Sequence, residues 1–173
     1  FIFHYVSSVN MYDAENPLKL YARIHAPDTK LVLTTSRQAD FVNDVLNELN
    51  NENNKERKLL IYGDSVLLYT LSDKEAYIRP WINVSSYTVQ ELRDDLNKKQ
   101  ESGEALPLVV LCRTSSYRGF DQTTYEEDLA QGNQPSAKKD VVNELLEQNK
   151  YQIVYENDYY TLYDTKEEAN NEK

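Results

Sequence analysis

The sequence predicts an α/β fold: a three-layer sandwich with a mainly parallel central sheet and an antiparallel C-terminal hairpin at its edge. Three observations predict it. The runs Lys58-Leu59-Leu60-Ile61-Tyr62 and Leu108-Val109-Val110-Leu111-Cys112 are nearly all apolar, as strands covered on both faces are. Stretches with helix caps and helical apolar spacing alternate with them. Near the C-terminus, Tyr151-Gln152-Ile153-Val154-Tyr155 and Tyr159-Tyr160-Thr161-Leu162-Tyr163 flank Glu156-Asn157-Asp158, the pattern of a β-hairpin. Alternation of helix and strand implies right-handed crossovers with helices on both faces of the sheet.

Each element has its own signal. Thr35-Ser36-Arg37-Gln38 fits a capping box, and Val42, Val45, Leu46 and Leu49 follow at helical spacing. That helix is expected over Ser36–Asn50, ending in the asparagine-rich Asn50-Asn51-Glu52-Asn53-Asn54. After the strand at Leu59–Tyr62, Asp64 or Ser65 is positioned to cap a short helix through Leu71. Ala76-Tyr77-Ile78-Arg79 alternates and reads as a strand nearer an edge. A second capping box, Thr88-Val89-Gln90-Glu91, opens a helix carrying Leu92 and Leu96 and closing near Gly103. A weaker box at Thr124-Tyr125-Glu126-Glu127 reads as a short helix ending at Gly132. Ser136 can cap a helix with Val141, Val142, Leu145 and Leu146 on its inner face. Residues 1–165 are read as one domain, and 166–173, charged and featureless, as a disordered tail.

Composition bounds the function. A chain of 173 residues suits a single core, and 14 tyrosines supplement a modest aliphatic content. The net charge of −10 argues against nucleic acid or anionic lipid as a partner. The lone cysteine, Cys112, reads as a buried small hydrophobe and excludes both an intramolecular disulfide and a cysteine-rich zinc site. No run of 18 apolar residues occurs, so the sequence shows no transmembrane helix. The opening Phe1-Ile2-Phe3-His4-Tyr5-Val6 carries neither a starting methionine nor a signal peptide and reads as an excised fragment.

The search for chemistry is mostly negative. Gly63-Asp64-Ser65 follows a strand where α/β folds place ligand loops, but it lacks the glycines and lysine of a phosphate cradle. The two histidines, His4 and His25, have no GxSxG elbow to serve and form no metal-ligand pattern. Adjacent carboxylates at Asp94-Asp95, Glu126-Glu127-Asp128 and Glu167-Glu168 read as solvated faces. No catalytic, cofactor-binding or metal-binding residue is predicted, and no cofactor.

Two segments suit a binding surface as well as a cover for the sheet edge. Arg113–Pro135 is a long connection containing Tyr117-Arg118-Gly119-Phe120-Asp121, and Arg79-Pro80-Trp81 carries the only tryptophan. Ligands of parallel α/β sheets settle beyond the carboxyl ends of the strands. The candidate ligand-binding crest is therefore Asp64, Arg113, Tyr117 and Arg118, joined by Trp81 if its strand runs parallel to the other two.

Several of these stretches carry a resemblance. A lysine-Leu-Leu-Ile-Tyr-Gly run at 58–63, a short Leu/Tyr helix and a strand ending in Pro80-Trp81 resemble the soluble C-terminal domain of bacterial polytopic GT-C type glycosyltransferases. These are the dolichyl-phosphate-mannose–protein mannosyltransferase-like membrane proteins. The ending Asn149-Lys150-Tyr151-Gln152-Ile153-Val154-Tyr155, then Tyr159-Tyr160-Thr161-Leu162-Tyr163, is similar to that family's closing strands. The likeness spans most of the chain and is one of style rather than a specific motif.

The resemblance implies a non-catalytic accessory domain on the extracytoplasmic face of the membrane, from a Gram-positive bacterium. Residues 1–30 would be the connection from a preceding membrane segment, with the tyrosine-bearing stretch at Tyr5–Tyr21 just outside it. The parent would use a lipid-linked sugar donor. Its implied partners are the membrane portion of the same polypeptide and a glycan or polyprenyl-phosphate sugar, with no nucleic acid. The family's catalytic acidic residue lies in an early loop that this sequence does not contain, so none is carried over. The alternative reading is a stand-alone α/β binding or interaction module, or an enzyme with an unrecognised site.

Overall fold

A computed structural model describes residues 21–26, 33–63, 65–82, 86–113 and 137–165. Within them lie a two-stranded antiparallel sheet, β1 (Ala22–Arg23) with β2 (Leu33–Thr34), and a four-stranded mixed sheet. The larger sheet comprises β3 (Leu59–Tyr62), β4 (Leu108–Cys112), β5 (Tyr151–Glu156) and β6 (Tyr160–Thr165), in the order β3-β4-β6-β5. Four helices accompany them among the described residues: α1 (Ser36–Leu49), α2 (Leu67–Leu71), α3 (Val89–Glu101) and α4 (Ala137–Gln148).

The helix starts follow the side-chain chemistry. Thr35 accepts a hydrogen bond from the Gln38 backbone N–H, satisfying one of the donors a helix start leaves open. The reciprocal half of that expected box is replaced, because the Gln38 side chain turns to the Thr34 hydroxyl instead. At α3 the box is complete: Thr88 accepts from the Glu91 N–H while Glu91 accepts from the Thr88 N–H at 2.8 Å. Gly103, at φ +70°, ends that helix in the left-handed conformation that favours glycine. Val66 takes the N-cap position of α2 without a side-chain bond, and Ser65 contributes only its carbonyl, which accepts from the Leu68 N–H; the other expected cap, Asp64, lies outside the described residues.

Strand side chains alternate between two apolar clusters. Leu59, Ile61, Leu108, Val110 and Leu162 pack with Val42, Val45, Leu46 and Leu49 of α1 and with Leu68 and Leu71 of α2. Leu60, Tyr62, Val109 and Leu111 pack with Leu92 and Leu96 of α3 and with Val141, Val142, Leu145 and Leu146 of α4. All four residues of β3 are buried, as its doubly apolar sequence predicts.

The expected mainly parallel sheet gives way to a mixed one. β3 and β4 pair in parallel, but β6 inserts between β4 and β5 and is antiparallel to both. Strands β3, β4 and β5 therefore share one direction, and the hairpin supplies the single reversed strand. The physical reason lies in β6, where Tyr160, Thr161 and Leu162 are buried, whereas Gln152, Ile153 and Val154 of β5 are exposed.

The expected strand at Ala76–Arg79 is reduced to a single parallel bridge, Leu59 with Ala76. The Glu75 carbonyl accepts from the Leu59 N–H at 3.0 Å, and the Tyr77 N–H donates to the Leu59 carbonyl at 2.8 Å. One residue pair further on, the side of β3 away from β4 is closed by a side chain. The Ile61 N–H donates to the Tyr69 hydroxyl of α2 at 3.0 Å. Pro80 follows immediately, and proline cannot donate to a ladder.

The short β1–β2 sheet docks on α1 through Asn43, whose side chain accepts from the His25 N–H at 2.7 Å and donates to the Arg23 carbonyl at 3.1 Å. The expected helix at 124–132, the Ser136 cap, most of the 1–30 connection and the tail at 166–173 lie outside the described residues.

Candidate functional site

The parallel pairing of β3 with β4 puts their carboxyl ends on one edge of the sheet. Tyr62 pairs with Leu111, so Gly63 and Cys112 come next, side by side. They meet closely: a Cβ built on Gly63 would lie 2.4 Å from the Cys112 Cβ and 2.7 Å from its Sγ. Glycine is required there twice over, since its φ of +124° is also one that side chains rarely allow. Cys112 is half-buried rather than fully buried as expected, because it is the last residue of β4.

Arg113 is the next residue. Its backbone N–H donates to the Tyr159 carbonyl at 2.8 Å, which ties the end of β4 to the hairpin turn. Its Nη1 donates to Glu156 Oε1 at 2.7 Å and to the Asn157 carbonyl at 3.4 Å. All of these side-chain contacts run through Nη1. The remaining face of the guanidinium, Nε and Nη2, has no partner among the described residues, and a guanidinium offers its donors in a fixed fork suited to oxygen pairs.

The turn beside Arg113 is held by Asn157. Its Oδ1 accepts from the N–H groups of Tyr159 and Tyr160 at 3.0 and 2.9 Å, and its Nδ2 donates to the Phe41 carbonyl at 3.2 Å. That bond brings the start of α1 to the same edge. There the Phe41 and Tyr159 rings meet edge to face at 4.7 Å between centroids. The Arg37 guanidinium lies over both rings, at 5.8 and 5.5 Å, and 3.6 Å from Asp158. This aromatic–cation cluster was not anticipated from sequence. Its residues are spread over more than a hundred positions, and only the adjacent tyrosines of the hairpin hinted at it.

Trp81 was expected at the crest only if its strand ran parallel to the other two, and that strand is reduced to the single parallel bridge at Ala76. Beyond that bridge the segment leaves the sheet, and Arg79 donates to Asp95 and Glu91 of α3. Ile82 anchors it, buried in the α3/α4 cluster with its carbonyl accepting from the Lys138 ammonium at 2.8 Å. Trp81 itself stays 56% exposed. The other three predicted crest residues, Asp64, Tyr117 and Arg118, lie outside the described residues.

Electrostatics at this edge are dominated by burial. The Tyr69 hydroxyl, beneath the crest, is pushed up to about 12, chiefly by burial and further by nearby Cys112, against the lowering effect of the Ile61 N–H. The expectation that neighbouring acids point apart holds at Asp94 and Asp95. Asp94 accepts from Gln90, whereas Asp95 accepts from Tyr87 at 2.7 Å and from Arg79. Among the described residues no group of acids, histidines or cysteines is arranged to hold a metal ion, and no helix is long and apolar enough to cross a membrane. What the crest offers is a flat indole, a forked donor and a hydroxyl at Ser65, 3.4 Å from the Tyr160 hydroxyl. Such a set can stack on and hydrogen-bond an oxygen-rich ligand.

No protein-family model matches the chain, and neither a curated protein nor a solved structure matches it.

Proposed function

We propose that this chain is a non-catalytic, extracytoplasmic accessory domain of a membrane-embedded, glycosyltransferase-like protein that uses a lipid-linked sugar donor. Its crest contacts glycan or acceptor. In this reading the domain is a three-layer α/β sandwich, with α1 and α2 on one face of the sheet and α3 and α4 on the other. Asp64, Tyr117 and Arg118 complete the crest begun by Trp81 and Arg113.

One observation carries the site. Arg113, directly after the carboxyl end of β4, keeps Nε and Nη2 without a partner among the described residues, and in this reading the 56%-exposed Trp81 joins it at that edge. An exposed indole stacks on the apolar face of a sugar ring, and a guanidinium fork takes hydroxyl or phosphate oxygens. The membrane context rests on the resemblance of the 58–81 and 149–163 stretches to the closing domains of GT-C type proteins.

Two measurements test the two halves separately. Titrating the isotopically labelled chain with glycans and with a polyprenyl-phosphate-sugar headgroup mimic is expected to move the amides of Trp81 and Arg113. Shifts confined to other faces, or none at millimolar ligand, refute the crest. Gene sequence upstream of Phe1 is expected to encode a series of apolar segments of membrane-spanning length. A starting methionine or a signal peptide directly upstream refutes the membrane parent and leaves the stand-alone module.

A further inference from the structure

We infer that the outer edge of β5 is a docking edge for an extended polypeptide strand carrying basic side chains. This site lies at the opposite end of the strand order from the Trp81 segment and is independent of the crest.

Strand β5 closes the sheet, and among the described residues it pairs with β6 alone. Its centre is apolar and open to solvent, with Ile153 54% and Val154 47% exposed. The two stand together because the register shifts between Ile153 and Tyr155, leaving Val154 out of the ladder. The shift also lets Tyr151 pack against the α3/α4 cluster while Tyr155 packs against the α1/α2 cluster.

Sheet edges that stay solitary are guarded by lysines, prolines, inward charges or bulges. Tyr151–Glu156 contains no lysine or proline, and its one charge is the terminal Glu156. Among the described residues the bulge is its only guard. An open row of backbone donors and acceptors beside two exposed apolar side chains is the template used in strand addition.

Charge selects the occupant. Glu156 is matched by Arg113, and Asp164, opposite Gln152, by Arg57 at 2.9 Å. Asp44 and Glu48 of α1 lie close enough to raise the Tyr155 hydroxyl pKa, after the larger effect of burial. Neither acid has a cationic partner among the described residues. Two acids thus lie beside Tyr155 against the single exposed cation at the head of the strand, Lys150, on a chain of net −10. A second copy would bring another −10 and be repelled, whereas a strand with lysine or arginine beside its apolar residues gains cross-strand pairing at the same contact.

The test uses the full labelled chain and two short capped peptides, one alternating valine with lysine and one alternating valine with glutamate. The lysine peptide is expected to give saturable amide shifts over residues 151–156, slowed exchange of β5 amides, and binding that weakens as salt is raised. Val154→Lys is expected to weaken it about tenfold, a loss of about 1.4 kcal/mol of binding, without unfolding the chain, since the position is exposed. Ile153→Thr, which keeps β propensity and adds no charge, separates the apolar contribution from the charge contribution. Equal binding of the glutamate peptide, shifts elsewhere on the surface, no binding at millimolar peptide, or self-association of the free chain through β5 each overturn the proposal.

Discussion

Replacing Gly63 with alanine probes the closest contact at the crest. The substitution places a methyl group 2.4 Å from the Cys112 Cβ and 2.7 Å from its Sγ, at a backbone φ of +124°. The nearest atom is attached directly to the backbone of β4, so it cannot swing aside without moving a strand whose first four residues are buried. Holding a non-glycine residue in that conformation costs roughly 1–3 kcal/mol. Forcing an extra methyl into a packed junction costs roughly 1–3 kcal/mol more. Gly63→Ala is therefore expected to destabilise by roughly 2–6 kcal/mol, a large part of the usual 5–15 kcal/mol or so of a domain. Urea unfolding followed by far-ultraviolet circular dichroism reads this as a lowered midpoint at constant slope. Pairing it with Cys112→Gly removes the clash but not the backbone strain. The double-mutant cycle should then show coupling of about 1–3 kcal/mol. An alanine variant within about 0.5 kcal/mol of the parent, or an additive cycle, would refute the close approach of β3 and β4 at this edge.

Three further outcomes follow from individual contacts. Tyr69→Phe leaves the buried Ile61 N–H without its acceptor and should cost about 1–3 kcal/mol in urea unfolding. Because the Tyr69 hydroxyl is raised to about 12 in the folded chain, the stability it contributes is present below pH 10 and lost as pH rises toward 12; the phenylalanine variant should lose part of that alkaline sensitivity. Thr88→Ala should cost about 1 kcal/mol by opening the α3 capping box. The Glu91 carboxyl is held below its ordinary range, first by the Thr88 N–H and then by its hydroxyl. The stability from that box is thus present above the ordinary carboxylate range and lost as pH falls, and an acid titration of the alanine variant should show a shallower loss. Trp81→Ala should change stability by no more than about 0.5 kcal/mol, since the side chain is largely exposed, and so provides a folded variant for binding measurements.

Local chemistry was legible in the sequence and long-range pairing was not. The threonines at 35 and 88 each cap a helix as their spacing predicts, and the apolar positions of α1, α3 and α4 fall on the buried faces. The doubly apolar runs became strands whose side chains alternate between two apolar clusters, which is why both of their faces carry apolar residues. The hairpin at Glu156-Asn157-Asp158 was visible, yet the placing of β6 inside and β5 outside depends on contacts with β4, which is more than forty residues away. Alternation at Ala76–Arg79 suggested a full strand, but Tyr69 takes over the edge of β3 one residue pair beyond the bridge. The crest was legible only as a rule about strand ends. That rule put Arg113 just past the carboxyl end of β4 but said nothing of the Glu156 contact or of the Arg37–Phe41–Tyr159 cluster.

The proposed function assigns the sole tryptophan to the crest, so its fluorescence reports directly on the central claim. Titrating the chain with the polyprenyl-phosphate-sugar headgroup mimic should give a saturable blue shift of the exposed indole emission, and Arg113→Ala should weaken that response without unfolding the chain. An emission spectrum unchanged at millimolar mimic, in a chain shown by circular dichroism to be folded, would contradict it.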